Sequence, residues 1–239
     1  MKAYFLHKLA DLLPLDANSR VVDMGSGKSL NFLPLLQKIP TLNYTGLEPD
    51  LKSVTEAKRV LANFPNAKVF HQLGYSLPPE TEGHADLVIS LSVLEHIKNL
   101  ETFIKSSVEA ARPGGHIIHR YDLGHALYPS SLKEKLQTFL CQYLPWLIPE
   151  HKYAAYVPVK MVEDLLIKYG AEVEKVTYHQ MPGHKKFLKY FKVDTLERQQ
   201  LAEELIEWEF KVSPYLESIP REEREKLFPA ICVWAKKKA

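Results

Sequence analysis

Only two of the 239 residues are cysteine, Cys141 and Cys232. They stand far apart in apolar surroundings and lack metal-ligand spacing, which excludes a disulfide framework and predicts two buried free thiols in a reducing compartment. Long apolar runs are missing too, because no stretch reaches the roughly 18 residues a membrane span requires. The opening MKAYFLHKLADLLPL is interrupted by His7, Lys8 and Asp11. It reads as an amphipathic helix rather than a secretion signal, and a cytoplasmic protein without membrane spans is expected. Nor does one charge dominate: 31 Lys and Arg against 29 Asp and Glu leave +2, so no global basic field points to nucleic acid or an anionic surface. Internal repeats and low-complexity linkers are absent as well.

What is present is a chain that is 46% apolar, in which short β-rich runs alternate with helical patterns. RVVDMG precedes a helical pattern at 30–39, LNYTGLEP precedes one at 51–62, AKVFHQL follows, and ADLVISL precedes 92–111. Then come GGHIIHRYDL, a helical pattern at 159–169, AEVEKVTYH and a final AICVWAKK. Repeated strand–helix–strand predicts a doubly wound, mostly parallel α/β sheet of seven strands with helices on both faces and the last strand antiparallel. Residues 1–239 are expected to form one domain. Two connections, 123–158 and 180–229, are longer than the roughly 2–6 residues usual in such folds and are expected to be helical insertions covering an active site.

The stretch SRVVDMGSGKS, Ser19 to Ser29, places glycines directly after the first strand. A phosphate-binding G-x-x-x-x-G-K-[ST] loop would need glycine at Val22, inside the strand, and G-x-G-x-x-G fails at Leu30. An Asp at the strand end, a G-x-G turn and a helix remain. Gly25 and Gly27 let the backbone approach a ligand, and free N–H groups at the turn and helix start can face a carboxylate. The second strand ends in Glu48, twenty-one residues beyond Gly27, where Rossmann-like sites place the acid that accepts ribose hydroxyls.

VVDMGSGKS resembles motif I of the class I S-adenosylmethionine-dependent methyltransferases, V-L-D-x-G-x-G-x-G, with Ser29 at the third glycine. Asp23 is then placed to receive the cofactor's ammonium, and Glu48 with Pro49 to hold its ribose. HQLGYSLP stands where the family often carries G-D-A-E-x-L-P; the adenine-contacting acid is missing, and backbone groups around Gly74 together with Tyr75 take over. ADLVISLSVLEHI resembles motif IV and its helix, with Ser90 and Leu91 at the carboxyl end of the strand, and ARPGGHIIH resembles the helix, R-P-G-G turn and fifth strand that follow. The resemblance covers roughly residues 15–120 and implies S-adenosylmethionine as cofactor, through Asp23, Gly25, Ser26, Gly27, Glu48, Pro49, Gly74, Tyr75, Ser90 and Leu91.

Methyl transfer from a sulfonium is an in-line displacement that needs placement and, for an alcohol acceptor, a base. Glu95-His96 follows the fourth strand, and such a pair recurs in the family, so His96 is a candidate base or acceptor contact. After the fifth strand, HRYDLGHALY resembles a D-L-x-H-x segment of some methyltransferases of sugar and glycan pathways, which makes Asp122 and His125 candidates for an Asp-oriented base. His116 and His119 point to opposite faces of a strand, and no metal is expected. The expected acceptor is a small-molecule or glycan hydroxyl. In the first insertion, Phe139, Tyr143, Leu144, Trp146 and Leu147 are expected to pack their helix on the body; lidding an apolar pocket or lying against a lipid carrier are the alternatives. GHKKFLKYFK interleaves His184, Lys185, Lys186, Lys189 and Lys192 with aromatics, as RNA contacts do, yet Glu197, Glu203, Glu204, Glu207 and Glu209 follow. RNA methylation, or a catalytically silent protein of the same fold, are the rival readings.

Overall fold

The computed structural model describes residues 2–13, 15–129, 131–149, 152–188, 190–191 and 195–239; the side chains of 2–4, 7, 125, 185 and 186 also lie outside the description. The strands are β1 (Arg20–Met24), β2 (Asn43–Glu48), β3 (Ala67–His71), β4 (Ala85–Leu91), β5 (Ala111–Asp122), β6 (Ala171–His179) and β7 (Ala230–Lys237). They form one sheet in the order β3-β2-β1-β4-β5-β7-β6. β1, β2, β3, β4 and β5 pair in parallel, whereas β7 runs antiparallel between β5 and β6. The expected seven strands and antiparallel last strand are therefore found.

The central strands are apolar on both faces because both are covered. Val22, Val88 and Ile117 point into a core closed by α4 (Leu100–Ala110) and α7 (Val159–Lys168) through Phe103, Ile104, Val162 and Leu166. Their neighbours Val21, Leu87 and Ile118 point the other way, against α1 (Lys2–Leu12), α2 (Leu33–Lys38), α3 (Leu51–Val60) and α9 (Leu196–Val212). Side-chain caps start three of these helices: Asp50, Asn99 and Thr195 accept the N–H groups of Ser53, Thr102 and Arg198, removing orphan donors of the first turn. The insertion after β5 forms α5 (Gly124–Leu127) and α6 (Leu132–Tyr143), and that after β6 holds α8 (Pro182–Leu188), α9 and α10 (Arg221–Leu227). Among the described residues no helix is long and apolar enough to cross a membrane.

Three local expectations are corrected. The pattern at 92–111 divides into a 3-10 turn, Leu94–His96, and α4. The R-P-G-G segment is not a turn but part of β5, where pairing with β4 shifts register between Ala85 and Leu87; a Cβ on Gly115 would lie 2.6 Å from the Ala85 carbonyl oxygen. The apolar residues around the end of α6 do not pack on the body as expected: Phe139, Tyr143, Trp146 and Leu147 are exposed and only Leu144 is half-buried.

Candidate active site

The strand order reverses between β1 and β4, and in open α/β sheets ligands bind beyond the carboxyl ends of the strands at such a switch point. A cleft of about 310 Å³ lies there, lined by Asp23, Gly25, Ser26, Gly27, Lys28, Leu30, Asn31, Leu91 and Ser92. The glycine turn is tied to the end of β2 by hydrogen bonds from Gly25 N–H (2.8 Å) and Ser26 N–H (3.1 Å) to the Leu47 carbonyl. Gly27 N–H donates to Glu48 Oε2 at 2.8 Å and Asp50 N–H to Oε1 at 2.9 Å. Glu48 thus holds both the loop and its own turn, and each oxygen keeps a further lone pair. Gly25 (φ +82) has Val93 Cγ2 2.5 Å from where a Cβ would stand, whereas beside Gly27 (φ +55) there is open space.

Ser29 replaces the third glycine of the motif yet keeps its left-handed backbone, at φ +57, a conformation costing a residue with a Cβ about 1–2 kcal/mol. The buried Tyr44 hydroxyl lies 3.1 Å from Ser29 Oγ and donates to Asp23 Oδ2 at 2.9 Å. Burial and then the Asp23 charge push the Tyr44 phenol well above its ordinary range, so it stays a donor. Lys28 turns outward to Glu56 of α3, 2.6 Å away, and takes no part in a phosphate grip.

Over the ends of β4, β5 and β6 a second polar group assembles. Glu95 is buried, its Oε1 accepts from Asp122 N–H at 3.2 Å, and its Oε2 has no partner among the described residues. Burial pushes the Glu95 carboxyl up; His96 lowers it and Asp122 raises it again. The Asp122 carboxylate accepts from Gly124 N–H at 2.8 Å and from Gln180 Nε2 at 2.9 Å. His96 is exposed, and its Nδ1 lies 2.8 Å from the Tyr153 carbonyl; a carbonyl only accepts, so Nδ1 carries the proton. Ser92 (φ +57) and Gln180 (φ +63) are left-handed non-glycine residues just past β4 and β6, where strain of about 1–3 kcal/mol each tends to mark functional sites.

A family model described as a methyltransferase domain matches residues 1–176. The chain belongs to that methyltransferase family. Its cofactor is S-adenosylmethionine. The methyltransferase is similar over 97% of its length to geranyl diphosphate C-methyltransferase from Streptomyces coelicolor A3(2), solved with Mg2+, geranyl diphosphate and S-adenosyl-L-homocysteine (77% of that chain, TM-score 0.62, 9% identical). It is also similar over 99% to the [4+2]-cyclase SpnF (82% of that chain, TM-score 0.62, 13% identical). At these identities the likeness shows the fold alone. In sequence, 106 residues are 35% identical to the ribosomal RNA small subunit methyltransferase G of Mycobacterium leprae (strain TN), covering 44% of this chain and 42% of that one. The chain therefore spans less than half the length of the curated relatives it matches.

Of the cofactor residues expected from the sequence of the methyltransferase, Asp23, Gly25, Ser26, Gly27 and Leu91 line one cleft, and Glu48 reaches it through Gly27. The open space over Gly27 suits a cofactor lying across the turn, whereas the Ser26 hydroxyl is turned inward toward Gly46 and Tyr44. The expected free N–H groups are not at Gly25, Ser26, Gly27 or Ser29, whose amides are engaged within the protein, and α2 begins only at Leu33. Pro49 is exposed, and its carbonyl accepts from His71 Nε2 at 2.8 Å. Gly74 is buried, with Phe103 Cε2 2.5 Å from the position of a Cβ; this packing leaves no room for an acidic side chain there. Tyr75 packs against the α4-side core, and its hydroxyl accepts from Asn99 N–H at 3.3 Å.

Ser90 faces the core, not the cleft. Its hydroxyl lies 2.8 Å from His119 Nδ1, and His119 Nε2 lies 3.0 Å from Ser107 Oγ. Ser107 donates to the Ile104 carbonyl, so His119 donates to Ser107 and accepts from Ser90. Burial lowers the His119 pKa to about 3, and both ring nitrogens are engaged, which removes it from metal binding. The His125 side chain lies outside the described residues, as do those of Lys185 and Lys186 and the residues Lys189 and Lys192. Sequence reasoning singled out neither Tyr44 nor Gln180, nor the burial of Glu95. Only Glu95 had a usable signal, as a carboxylate directly after an apolar strand and turn.

Proposed function

We propose that this methyltransferase carries the methyl group of S-adenosylmethionine to a hydroxyl of a small molecule or sugar, with Glu95 as the proton acceptor. The cofactor, when bound, supplies an electrophilic methyl on a sulfonium. Asp23, Gly25, Ser26, Gly27, Glu48, Pro49 and Leu91 hold it, Glu48 by its remaining lone pairs toward the ribose diol, with Tyr75 and the backbone at Gly74 toward adenine. At the acceptor edge Glu95 Oε2 would take the proton of the acceptor hydroxyl as its oxygen receives the methyl group that the cofactor would supply. What supports this reading is that Oε2 is buried and unpartnered on a carboxyl whose burial raises its proton affinity, as a base for an alcohol requires. Asp122 fixes Glu95 through its N–H; His96 and Asp122 line the acceptor, His125 is a further candidate whose side chain lies outside the described residues, and the insertions 123–158 and 180–229 cover it.

Calorimetric titration with S-adenosylmethionine and S-adenosylhomocysteine tests the cofactor site: wild type binds both, and Glu48→Ala loses about 2–4 kcal/mol, roughly 30- to 1,000-fold, by removing charge-assisted hydrogen bonds. Labelled methyl transfer to a panel of sugars and small alcohols tests the acceptor. There, Glu95→Gln is expected to lower kcat about 10²- to 10⁴-fold with cofactor affinity kept; full activity in that variant removes Glu95 from the reaction.

The 106-residue match to a ribosomal RNA methyltransferase favours RNA as the second reading. Against it, a hollow on α9 is lined by Glu203, Glu204 and Glu207 with Lys211 beside Trp208, an acidic surface that repels phosphate. RNA binding whose affinity falls steeply with salt, together with transfer to RNA and not to alcohols, would reverse the preference.

A further inference from the structure

Helix α6 is turned inside out. Leu132, Leu136, Phe139 and Tyr143 follow one another at helical spacing and fall within about 60° of one line along the axis. A surface helix ordinarily buries such a stripe, yet these four are 84, 59, 54 and 58% exposed. The opposite side is the one that packs: Cys141 is 1% exposed, with Ala154 N–H donating to its sulfur at 3.4 Å. Just past α6, Trp146 and Leu147 add two more large apolar side chains at 71 and 61% exposure, and the Phe139 and Tyr143 rings lie 4.8 Å apart on the stripe.

The charges around the stripe indicate what covers it. Lys133 and Lys135, both exposed, flank it on either side, about 100° and 60° from Leu132. The one acidic residue of the helix, Glu134, falls about 160° from it, on the half that carries Cys141. The outward half is therefore apolar and aromatic at its centre and carries only basic charges at its margins, the pattern of a helix lying in the interface of an anionic bilayer. A second copy of this chain would set Lys133 and Lys135 against like charges, which disfavours self-association.

We propose that α6 and the turn at 145–147 dock on an anionic lipid bilayer, with Leu132, Leu136, Phe139, Tyr143 and Trp146 in the boundary between headgroups and acyl chains and Lys133 and Lys135 against lipid phosphates. The segment leaving this turn returns to the acceptor edge: the Tyr153 carbonyl accepts from His96, and Ala155 N–H donates to the Glu95 carbonyl at 2.9 Å. Docking therefore sets that edge close to the bilayer surface. It stands independently of which acceptor is methylated.

Co-sedimentation of the full chain with vesicles tests the proposal, using phosphatidylcholine alone and phosphatidylcholine mixed in equal parts with phosphatidylglycerol. Wild type is expected to pellet with the anionic vesicles, less with the neutral ones and less as salt rises, with a blue shift of Trp146 emission that Trp146→Phe abolishes. Phe139→Ser with Trp146→Ser should weaken binding about 100-fold or more, and Lys133→Glu with Lys135→Glu should erase the preference for anionic lipid. Because all four side chains are exposed, unchanged melting temperatures would show that these variants still fold. Wild type staying in the supernatant, or stripe variants pelleting as wild type does, overturns the proposal. So does a dimer in sedimentation velocity that the stripe variant dissolves, for then a second copy covers the face.

Discussion

Alanine at Gly25 and at Gly27 should separate two effects that a glycine turn usually merges. Both glycines have positive φ, +82 and +55, so either substitution carries the left-handed cost of about 1–2 kcal/mol. Only at Gly25 does the new methyl meet a wall: it would lie 2.5 Å from Val93 Cγ2 and 3.0 Å from Cγ1. Val93 is β-branched and stiff at χ1, so relief must come from the backbone or the loop, at about 1–3 kcal/mol. Gly25→Ala should therefore cost about 2–5 kcal/mol, a fall in melting temperature of roughly 4–20 °C for a domain of this size. Gly27→Ala should lower it by only about 2–8 °C, because nothing stands within 4 Å of its Cβ position. Its methyl would project into the open space where the proposed site holds the cofactor, and on that reading S-adenosylmethionine affinity should drop about tenfold or more. Thermal melts and calorimetry read both quantities. Val93→Ala supplies the control: combined with Gly25→Ala it should recover about 1–3 kcal/mol as a favourable coupling. If the two single variants melt together, or if Val93→Ala rescues nothing, the close approach is not there.

The pH dependence of Glu95→Gln has a definite sign. A carboxyl whose folded pKa is raised by burial binds its proton more tightly folded than unfolded, so ionising it costs stability as pH rises above the ordinary carboxylate range. Glu95→Gln should melt higher than wild type near neutral pH, and the difference should shrink on acidification; activity should lose the acid-limb rise that Glu95 ionisation gives. His119 acts oppositely: its pKa of about 3 against an ordinary 6.5 means stability held above 6.5 is lost as pH falls toward 3, and His119→Gln should flatten that slope. Ser90→Ala should cost about 1–2 kcal/mol in stability and leave cofactor affinity unchanged, since its hydroxyl serves His119; a large loss of affinity would return Ser90 to the cleft. Both thiols are buried, and burial lifts Cys232 to about 12, so a thiol reagent should label neither until the protein unfolds.

The sheet and the glycine turn were legible because their signals are local. Apolar runs of strand length, glycines after the first and an acid closing the second are each set by a few adjacent residues, and the structure brings Gly27 and Glu48 into direct contact. What escaped depends on orientation or on distant partners. The pattern of α6 shows which residues share a face but not which way that face points, and here it points outward. Ser90 sits at a strand end where either face was open to it, and His119, twenty-nine residues later, draws it inward. Gln180 and Ser92 adopt a backbone that neither residue type announces. The R-P-G-G segment looked like a turn because its glycines permit one, while pairing to β4 across a register shift made it strand.

The double hold of Glu48 on Gly27 and Asp50 has a kinetic corollary. A pocket whose walls are already fastened to one another has little left to arrange when its guest arrives, so encounter should be followed by a single fast phase rather than a slow tightening step. Cutting that fastening would delay arrival as well as hasten departure, and stopped-flow traces would register both.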